Sequence, residues 1–293
     1  MSKKNVVVLG AGSAGTTIVR ALTKSLDLSR YDLILLNDRP YFVHLPAMAR
    51  LATWDDPLGE KAFFDLAQVV PAGKGTFTVG KVVGVAEGAA GAGGELELEG
   101  GARIPYAALV VATGSRWPDF IQVPATAAER DAHLGGWHAS FKGAEHVVVV
   151  GGGSVGIEVP ARHPARAEAV GISFVLGNAL DAAPGKVSGV TTRDGKSLPD
   201  ADLVVHAFGA KPNTEILKGA FDDALTARAP SRSTSSLRSA ATRRKQAAKA
   251  NTHAAVAAAN VVAFLAGKPL PKSYKGSPEM IMIPLGKSGG AAG

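Results

Sequence analysis

The sequence predicts an α/β protein with two domains, each built on a parallel sheet, and small antiparallel sheets at the crossovers. Short apolar runs typical of buried strands alternate with helical segments along most of the chain. A glycine-rich turn joins a strand to a helix twice, at residues 10–15 and 151–156. Strands of a parallel sheet are covered on both faces and are apolar along their length, as the strands before both turns are.

The N-terminal part predicts a βαβ unit followed by antiparallel strands. A helix from Ser13 to about Leu26 separates two apolar strands, and the next segments alternate between apolar and polar residues around a Gly/Ala turn. The predicted strands of this part are 6–10, 32–37, 76–87, 95–100 and 104–115.

The second part repeats the pattern in a shorter form. Asp194-Gly195 predicts a hairpin turn within residues 190–198. Residues 243–267 predict a helix closed by Gly267. The other predicted strands are 147–150, 171–177 and 201–213.

The first glycine turn has the residues that a dinucleotide requires. Gly10 permits a tight turn, Gly12 lets the backbone approach a pyrophosphate, and Gly15 lets helix and strand pack closely. Asn37 and Asp38 stand 22 and 23 residues after Gly15, where a residue that holds a ribose hydroxyl is expected. The residues expected to bind this dinucleotide are Gly10, Ala11, Gly12, Ser13, Ala14, Gly15, Asn37 and Asp38.

The second turn repeats this logic with Gly151, Gly153 and Gly156. Glu158, in the first helical turn, either orients the nicotinamide end of a nucleotide or complements the helix dipole. Neither a carboxylate nor an arginine follows the predicted strand 171–177, so the choice between NADH and NADPH stays open. Two turns in one chain indicate two Rossmann-like domains, one for a resident FAD and one for NAD(P)H as hydride donor.

Composition excludes several alternatives. Zero cysteines exclude a disulfide framework and a dithiol that would accept electrons from a flavin. The seven histidines show no ligand spacing, so we expect no metal site, and hydride transfer requires no catalytic side chain. The chain lacks an apolar run of about 18 residues and a leader-like N-terminus, so a cytoplasmic protein is the expectation.

The net charge of +7 is unevenly distributed. Basic residues cluster between 226 and 250, and residues 226–242 form a low-complexity arm of Ala, Ser, Arg and Thr. Such an arm is either solvated or meets an anionic membrane, a nucleotide or a nucleic acid. The clustered residues are Arg228, Arg232, Arg238, Arg243, Arg244, Lys245 and Lys249.

The chain resembles the pyridine-nucleotide flavoprotein reductases, and among them the apoptosis-inducing-factor-like, ferroptosis-suppressor-type flavoproteins and their fungal relatives. The resemblance lies in GAGSAG (10–15), LVVATGS (109–115), VVVVGGGSVGIE (147–158) and LVVHAFGAKPN (203–213), which occur in the family's order. The segments 37–52, 81–85, 245–274 and 278–293 extend it.

The resemblance implies further flavin contacts and a reaction. The contacts that it assigns to FAD are Arg50, Val82, Ala112, Thr113, Gly114 and Lys245. Such relatives oxidise NAD(P)H through FAD and reduce quinones. For this chain we expect a cytoplasmic location, with peripheral contact at a lipid droplet or mitochondrial surface as a further expectation. The implied domains are an FAD domain at 1–120 and 225–293 and a shortened NAD(P) domain at 121–224.

Two departures support alternatives. The arm at 226–242 replaces a Gly-Asp motif that holds the flavin in the family, and the NAD(P) insert is too short for the usual helix and strand. Pro160 also falls inside the expected second helix. The alternatives are an impaired reductase scaffold that acts in binding or signalling, linked to cell death or nucleic acid, and an inactive truncated product.

Overall fold

The computed structural model describes seven segments of the chain, and they form two compact units. The described residues are 2–53, 59–88, 93–162, 173–221, 247–272, 282–285 and 289–292. Unit 1 comprises residues 1–42, 65–115 and 212–277, and unit 2 comprises residues 43–64, 116–211 and 278–293. The predicted boundaries at 120/121 and 224/225 stay predictions. The segments 43–64 and 278–293, assigned from the sequence to the first domain, group with unit 2.

Unit 1 is centred on a four-stranded parallel sheet, as the apolar runs predicted. Its strands are β1 (Lys4–Leu9), β2 (Tyr31–Asn37), β5 (Thr76–Val79) and β9 (Ala108–Val111), in the order β5-β2-β1-β9. Val6, Val8, Leu33 and Leu35 are fully buried. The predicted strand 76–87 is in fact two strands, since Thr76–Val79 pairs with β2 and the chain leaves the sheet at Gly80.

Two helices pack over one face of this sheet. Helix α1 (Ser13–Ser25) and helix α5 (Ala247–Leu265) share a core cluster in which Ala254 and Ala258 are buried beside Ile18 and Leu22. Thr17 Oγ1 donates a hydrogen bond of 2.9 Å to Asn251 Oδ1 between the two helices. The predicted helix 243–267 is confirmed over α5, and its first residues lie outside the described part of the chain.

The predicted antiparallel strands form a small sheet on the other face. It contains β6 (Val82–Glu87), β7 (Gly94–Leu98) and β8 (Arg103–Tyr106) in that order. Val82, Leu96 and Tyr106 join Val7 and Leu36 in a second core cluster. The parallel sheet is therefore covered on both faces.

Unit 2 has a smaller sheet in the order β11-β15-β12. Strand β11 (Val147–Val150) is parallel to β15 (Leu203–His206), and β12 (Gly185–Lys186) is antiparallel to β15. The helices of this unit are α2 (Met48–Thr53), α3 (Ala127–Gly143) and α4 (Ser154–Arg162). Its core joins residues of these elements: Met48, Ala52, Phe120, Phe141, Val159, Leu203 and Val205. Segment 43–64 belongs with this unit because α2 is part of that core.

The prediction of a strand at 171–177 is wrong for residues 173–177, the part of this segment that the structure describes. Residues 173–177 have no strand structure, and Phe174 and Leu176 are 77% and 85% exposed. An apolar run forms a strand only where a neighbouring strand pairs with it. Among the described residues, β11 pairs with β15 alone.

The hairpin predicted at Asp194-Gly195 is confirmed. Strands β13 (Val190–Thr191) and β14 (Ser197–Leu198) are antiparallel, and Gly195 has a φ of +90°. Strands β17 (Met282–Leu285) and β18 (Gly289–Ala292) also pair in antiparallel orientation.

The remaining elements are short. Strands β3 (Tyr41–Val43), β4 (Phe63–Asp65), β10 (Ser115–Arg116) and β16 (Lys211–Pro212) lie where the chain passes between units. The 3-10 helices are Leu45–Ala47, Gly59–Ala62, Leu66–Gln68, Asp119–Ile121 and Glu215–Leu217. No described helix combines the length and apolar character needed to cross a membrane.

Two candidate dinucleotide-binding turns

The first glycine turn connects β1 to α1 in unit 1, and its backbone leaves no room for side chains at two positions. Gly10 has a φ of +98°, and a Cβ on it would lie 2.5 Å from Ala112 O. A Cβ on Gly15 would overlap Gly10 O. The backbone geometry therefore agrees with the predicted roles of the two glycines, a tight turn at Gly10 and close packing of the helix on the strand at Gly15.

The same turn is open where an anion would approach. Gly12 is exposed, and a Cβ on it would meet nothing within 4 Å in the described part of the chain. Gly12 is the N-cap residue of α1 and provides no side-chain cap to the first N–H groups of the helix. Unpaired N–H groups and the positive end of the helix dipole suit a diphosphate. The turn at Gly12, Ser13 and Ala14 fits such a group.

Asn37 and Asp38 have different surroundings at the end of β2. Asn37 Oδ1 accepts a hydrogen bond of 2.9 Å from Ala11 N, and Asn37 Nδ2 donates one of 2.9 Å to Arg39 O. The amide thus fixes the glycine turn. Asp38 is 47% exposed and pairs with Arg39 at 3.0 Å, so its carboxylate is the accessible candidate for a ribose hydroxyl.

The Ala112-Thr113-Gly114 segment supports the first turn from the end of β9. Ala112 N donates to Leu9 O at 2.7 Å, and Ala112 O faces Gly10. Thr113 Oγ1 donates to Asn213 O at 2.6 Å, and Asn213 N donates to Gly114 O at 3.1 Å. Asn213 was absent from the predicted site residues. The Pro212-Asn213 pair, at the end of the segment 203–213 that carries the resemblance, was the sequence feature that could have indicated it.

The other predicted flavin contacts are dispersed. Val82 begins β6 in unit 1 and is 8% exposed. Arg50 is exposed on α2 in unit 2. Lys245 lies outside the described residues. Their assignments to FAD stay predictions.

The second turn, between β11 and α4 in unit 2, has the same geometry as the first. Gly151 has a φ of +118°, and a Cβ on it would lie 2.8 Å from Ala207 C. A Cβ on Gly156 would overlap Gly151 O. The nearest atom to a Cβ on Gly153 is Ala207 O at 3.9 Å, so this turn is also open to an anion.

Glu158 is largely buried, only 9% exposed within α4, and its two predicted roles, at the nicotinamide or at the helix dipole, stay predictions. Asn178, at the end of the mispredicted strand, binds the hairpin. Hydrogen bonds from Asn178 and Thr192 lower the pKa of Asp194.

Sequence reasoning missed a buried pair beside the second turn. Asp119 has a side chain only 4% exposed and approaches His206, the last residue of β15. The two are 87 positions apart, and no spacing rule connects them.

Comparison with known proteins defines the class. Residues 4–163 match the family described as "Pyridine nucleotide-disulphide oxidoreductase". The chain belongs to this family, and the predicted α/β fold with Rossmann-like dinucleotide-binding domains is confirmed. The cofactor prediction, FAD with NADH or NADPH, is confirmed as that of the family.

Individual relatives are consistent with this class. The chain is 31% identical to "FAD-dependent oxidoreductase FVFD30" of Flammulina velutipes over 280 residues, covering 80% of this chain and 86% of the relative.

Two solved structures share the fold. A putidaredoxin reductase–putidaredoxin complex matches with a TM-score of 0.65 and 19% identity, over 97% of this chain and 80% of that chain. The sulfide:quinone oxidoreductase of Aquifex aeolicus matches with a TM-score of 0.67 and 17% identity, over 91% and 78%.

Proposed function

We propose that this chain passes a hydride from NAD(P)H to bound FAD and then delivers the electrons to a quinone-type acceptor. The observation on which the proposal rests is the pair of open glycine turns, each at the carboxyl end of a parallel strand and the start of a helix. Each turn suits the diphosphate of one dinucleotide. The redox chemistry belongs to the flavin and the nicotinamide, and the protein supplies binding and orientation.

The quinone acceptor is supported by chemistry and resemblance. Without a cysteine the chain cannot use a dithiol as acceptor, so the electrons must leave to another molecule. The resemblance to the apoptosis-inducing-factor-like, ferroptosis-suppressor-type flavoproteins favours a quinone. This subfamily assignment is part of the proposal.

Anaerobic spectroscopy tests the reaction. The purified chain should be yellow, with flavin absorbance near about 450 nm that NADH or NADPH bleaches. A short-chain ubiquinone analogue should restore the absorbance faster than oxygen or a ferredoxin does. A chain that stays colourless after incubation with FAD would contradict the proposal, and reoxidation by ferredoxin alone would contradict the quinone.

The location of the protein is a separate proposal. We propose a cytoplasmic protein that associates peripherally with a lipid droplet or mitochondrial surface. Cell fractionation tests this: recovery in the floating or mitochondrial fraction, and release by salt or alkali, is expected.

One observation favours a second candidate function, a reductase scaffold whose nucleotide unit is impaired. The predicted second strand of unit 2 is missing at 173–177, and Phe174 and Leu176 are exposed there. In this case FAD binds, NAD(P)H does not, and the basic arm contacts a nucleic acid with steep salt dependence. Titrations with NADH and with duplex DNA at low salt distinguish the two candidates.

A further inference from the structure

A buried acid and a histidine meet beside the second glycine turn. Asp119 Oδ2 accepts a hydrogen bond of 2.6 Å from the backbone N of His206, and Asp119 Oδ1 lies 3.5 Å from His206 Nδ1. The Asp119 side chain is 4% exposed and that of His206 15%. Asp119 also has a φ of +48°, a left-handed conformation that is unfavourable for a residue with a Cβ.

The second nitrogen of the imidazole fixes the proton count. His206 Nε2 lies 3.0 Å from Ala182 O. A carbonyl oxygen can only accept, so Nε2 bears a hydrogen. Nδ1 of a neutral ring would then present a lone pair to Asp119 Oδ1, and an ionised carboxylate has only lone pairs to offer.

Two buried lone-pair atoms 3.5 Å apart repel each other, so one additional proton held by the pair is favourable. It resides on Oδ1 or on Nδ1, and the pair is neutral overall in both cases. Burial raises the pKa of Asp119, while the hydrogen bond from His206 N and the charges of His206 and His133 oppose that rise. His133, whose Nε2 lies 3.4 Å from Phe120 O, is the other titratable group acting on the carboxyl.

The pair is directly connected to the second glycine turn. His206 is in register with Val150, the last residue before Gly151. Ala207 N donates to Val150 O at 2.8 Å, and Ala207 and Phe208 N form the wall that faces Gly151. The centroid of the Phe208 ring lies 4.8 Å from the centroid of the His206 imidazole.

We propose that Asp119 and His206 hold one shared proton and, in that form, fix the wall of the second glycine turn, as positioning residues for the nicotinamide nucleotide. Loss of that proton as the pH rises makes the two groups repel, displaces His206 and loosens the turn. The nucleotide part of this inference rests on the proposed function, whereas the shared proton does not.

Asp119→Asn is the informative variant because asparagine imitates the protonated pair. Its amide oxygen accepts from His206 N, and its NH₂ donates to a neutral Nδ1 at every pH. Asp131→Asn is the matched control, since it removes one carboxylate of the same unit that is 64% exposed. Asp119→Ala removes both interactions.

Stability against pH is the first readout. The folded pair keeps a proton that an unfolded aspartate releases above its ordinary pKa of 3.8. Relative to Asp119→Asn, the wild type therefore loses stability as pH rises from there, by up to tenfold in the unfolding constant per pH unit. The loss stops once the pair releases its proton. A profile for Asp119→Asn parallel to that of the wild type would overturn the proposal.

Nuclear magnetic resonance with ¹⁵N-histidine and ¹⁵N-glycine is the second readout. We expect His206 to carry hydrogen on Nε2, and the Gly151 amide shift to move with pH in the wild type but not in Asp119→Asn. A neutral ring with hydrogen on Nδ1 would overturn the shared proton. A Gly151 shift that does not follow pH would overturn the link to the turn. Neither readout requires NADH, so both remain decisive if the proposed function fails.

Binding completes the test. At neutral pH, Asp119→Asn and Asp131→Asn should bind NADH within about twofold of the wild type, and Asp119→Ala at least tenfold more weakly. At pH 9 the wild type should weaken while Asp119→Asn does not. Equal affinity of Asp119→Ala and the wild type would overturn the positioning role.

Discussion

At the scale of single residues, the amide of Asn37 is the clearest link between sequence and site. Ala11 is only 3% exposed, and its backbone N–H donates a hydrogen bond to Asn37 Oδ1. Asn37→Ala leaves that N–H unsatisfied, and we expect the free energy of unfolding to fall by about 1–3 kcal/mol. FAD affinity should fall with it, because the turn loses its fixed geometry. Urea unfolding and flavin titration measure the two effects.

Asn5→Ala is the control for this prediction. Asn5 Nδ2 donates to Pro105 O at 2.8 Å in unit 1, but in an exposed setting where water replaces the lost donor. The control should cost less than about 1 kcal/mol and leave FAD affinity unchanged. Equal losses in the two variants would contradict a specific role for Asn37.

At the scale of elements, the packing of α5 on α1 positions the first turn. Ala254 is completely buried, with an exposed fraction of 0%, and it belongs to the core cluster that contains Ile18 and Leu22 of α1. Ala254→Leu overfills this interface, and we expect a loss of about 1–3 kcal/mol in the free energy of unfolding. Flavin should also be released at lower urea concentrations, because α1 carries the turn.

Ala255→Leu separates this effect from a change in helix propensity. Residue 255 is exposed on the same helix, so an added leucine side chain meets solvent there. Its free energy of unfolding, measured in urea, should stay within about 0.5 kcal/mol of that of the wild type. If Ala254→Leu were equally tolerated, the two helices would not be closely packed.

Elements differ in how far the sequence could predict them. Strands β1, β2, β11 and β15 were predictable because each is a continuous apolar run between helix or turn signals. The strand predicted at 171–177 failed over residues 173–177 because this apolar run has no pairing strand among the described residues. A pattern specifies which face is apolar, whereas pairing depends on residues elsewhere in the chain.

The candidate site shows the same division. The glycines were predictable because their requirement is local: a turn, a close approach and a helix start. Asn37 was found at the right position, although its side chain binds the turn and leaves Asp38 exposed. Asp119 and His206 could not be paired from the sequence, since their contact depends on how the 3-10 helix Asp119–Ile121 meets the end of β15.

At the scale of the whole molecule, each unit has its own glycine turn, and the proposed reaction needs both. Gly12 and Gly153 occupy equivalent positions in the two turns. At each of them the protein has room for a methyl group, which would point toward the proposed nucleotide. Among the described residues, a Cβ on Gly12 meets nothing within 4 Å, and the nearest atom to a Cβ on Gly153 is Ala207 O at 3.9 Å. Alanine at either position should therefore leave the fold intact.

The two alanine variants should fail in different ways if the units divide the cofactors as proposed. We expect Gly12→Ala to lose FAD affinity by tenfold or more, or about 1.4 kcal/mol, and to be purified pale. Gly153→Ala should stay yellow, yet its flavin should bleach at least tenfold more slowly at a fixed, limiting NADH concentration. Circular dichroism, and urea unfolding of the flavin-free proteins, should match the wild type in both variants, because the added methyl group contacts only the ligand.

Gly152→Ala supplies the control in the second turn, since a Cβ there also meets nothing within 4 Å and position 152 is not one of the three fingerprint glycines. We expect its flavin reduction to be close to that of the wild type. If Gly153→Ala reduced flavin normally, the second turn would not hold the hydride donor. Loss of flavin from Gly153→Ala would show that FAD occupies unit 2, reversing the assignment of cofactors to units. The two variants therefore decide which nucleotide each glycine turn binds.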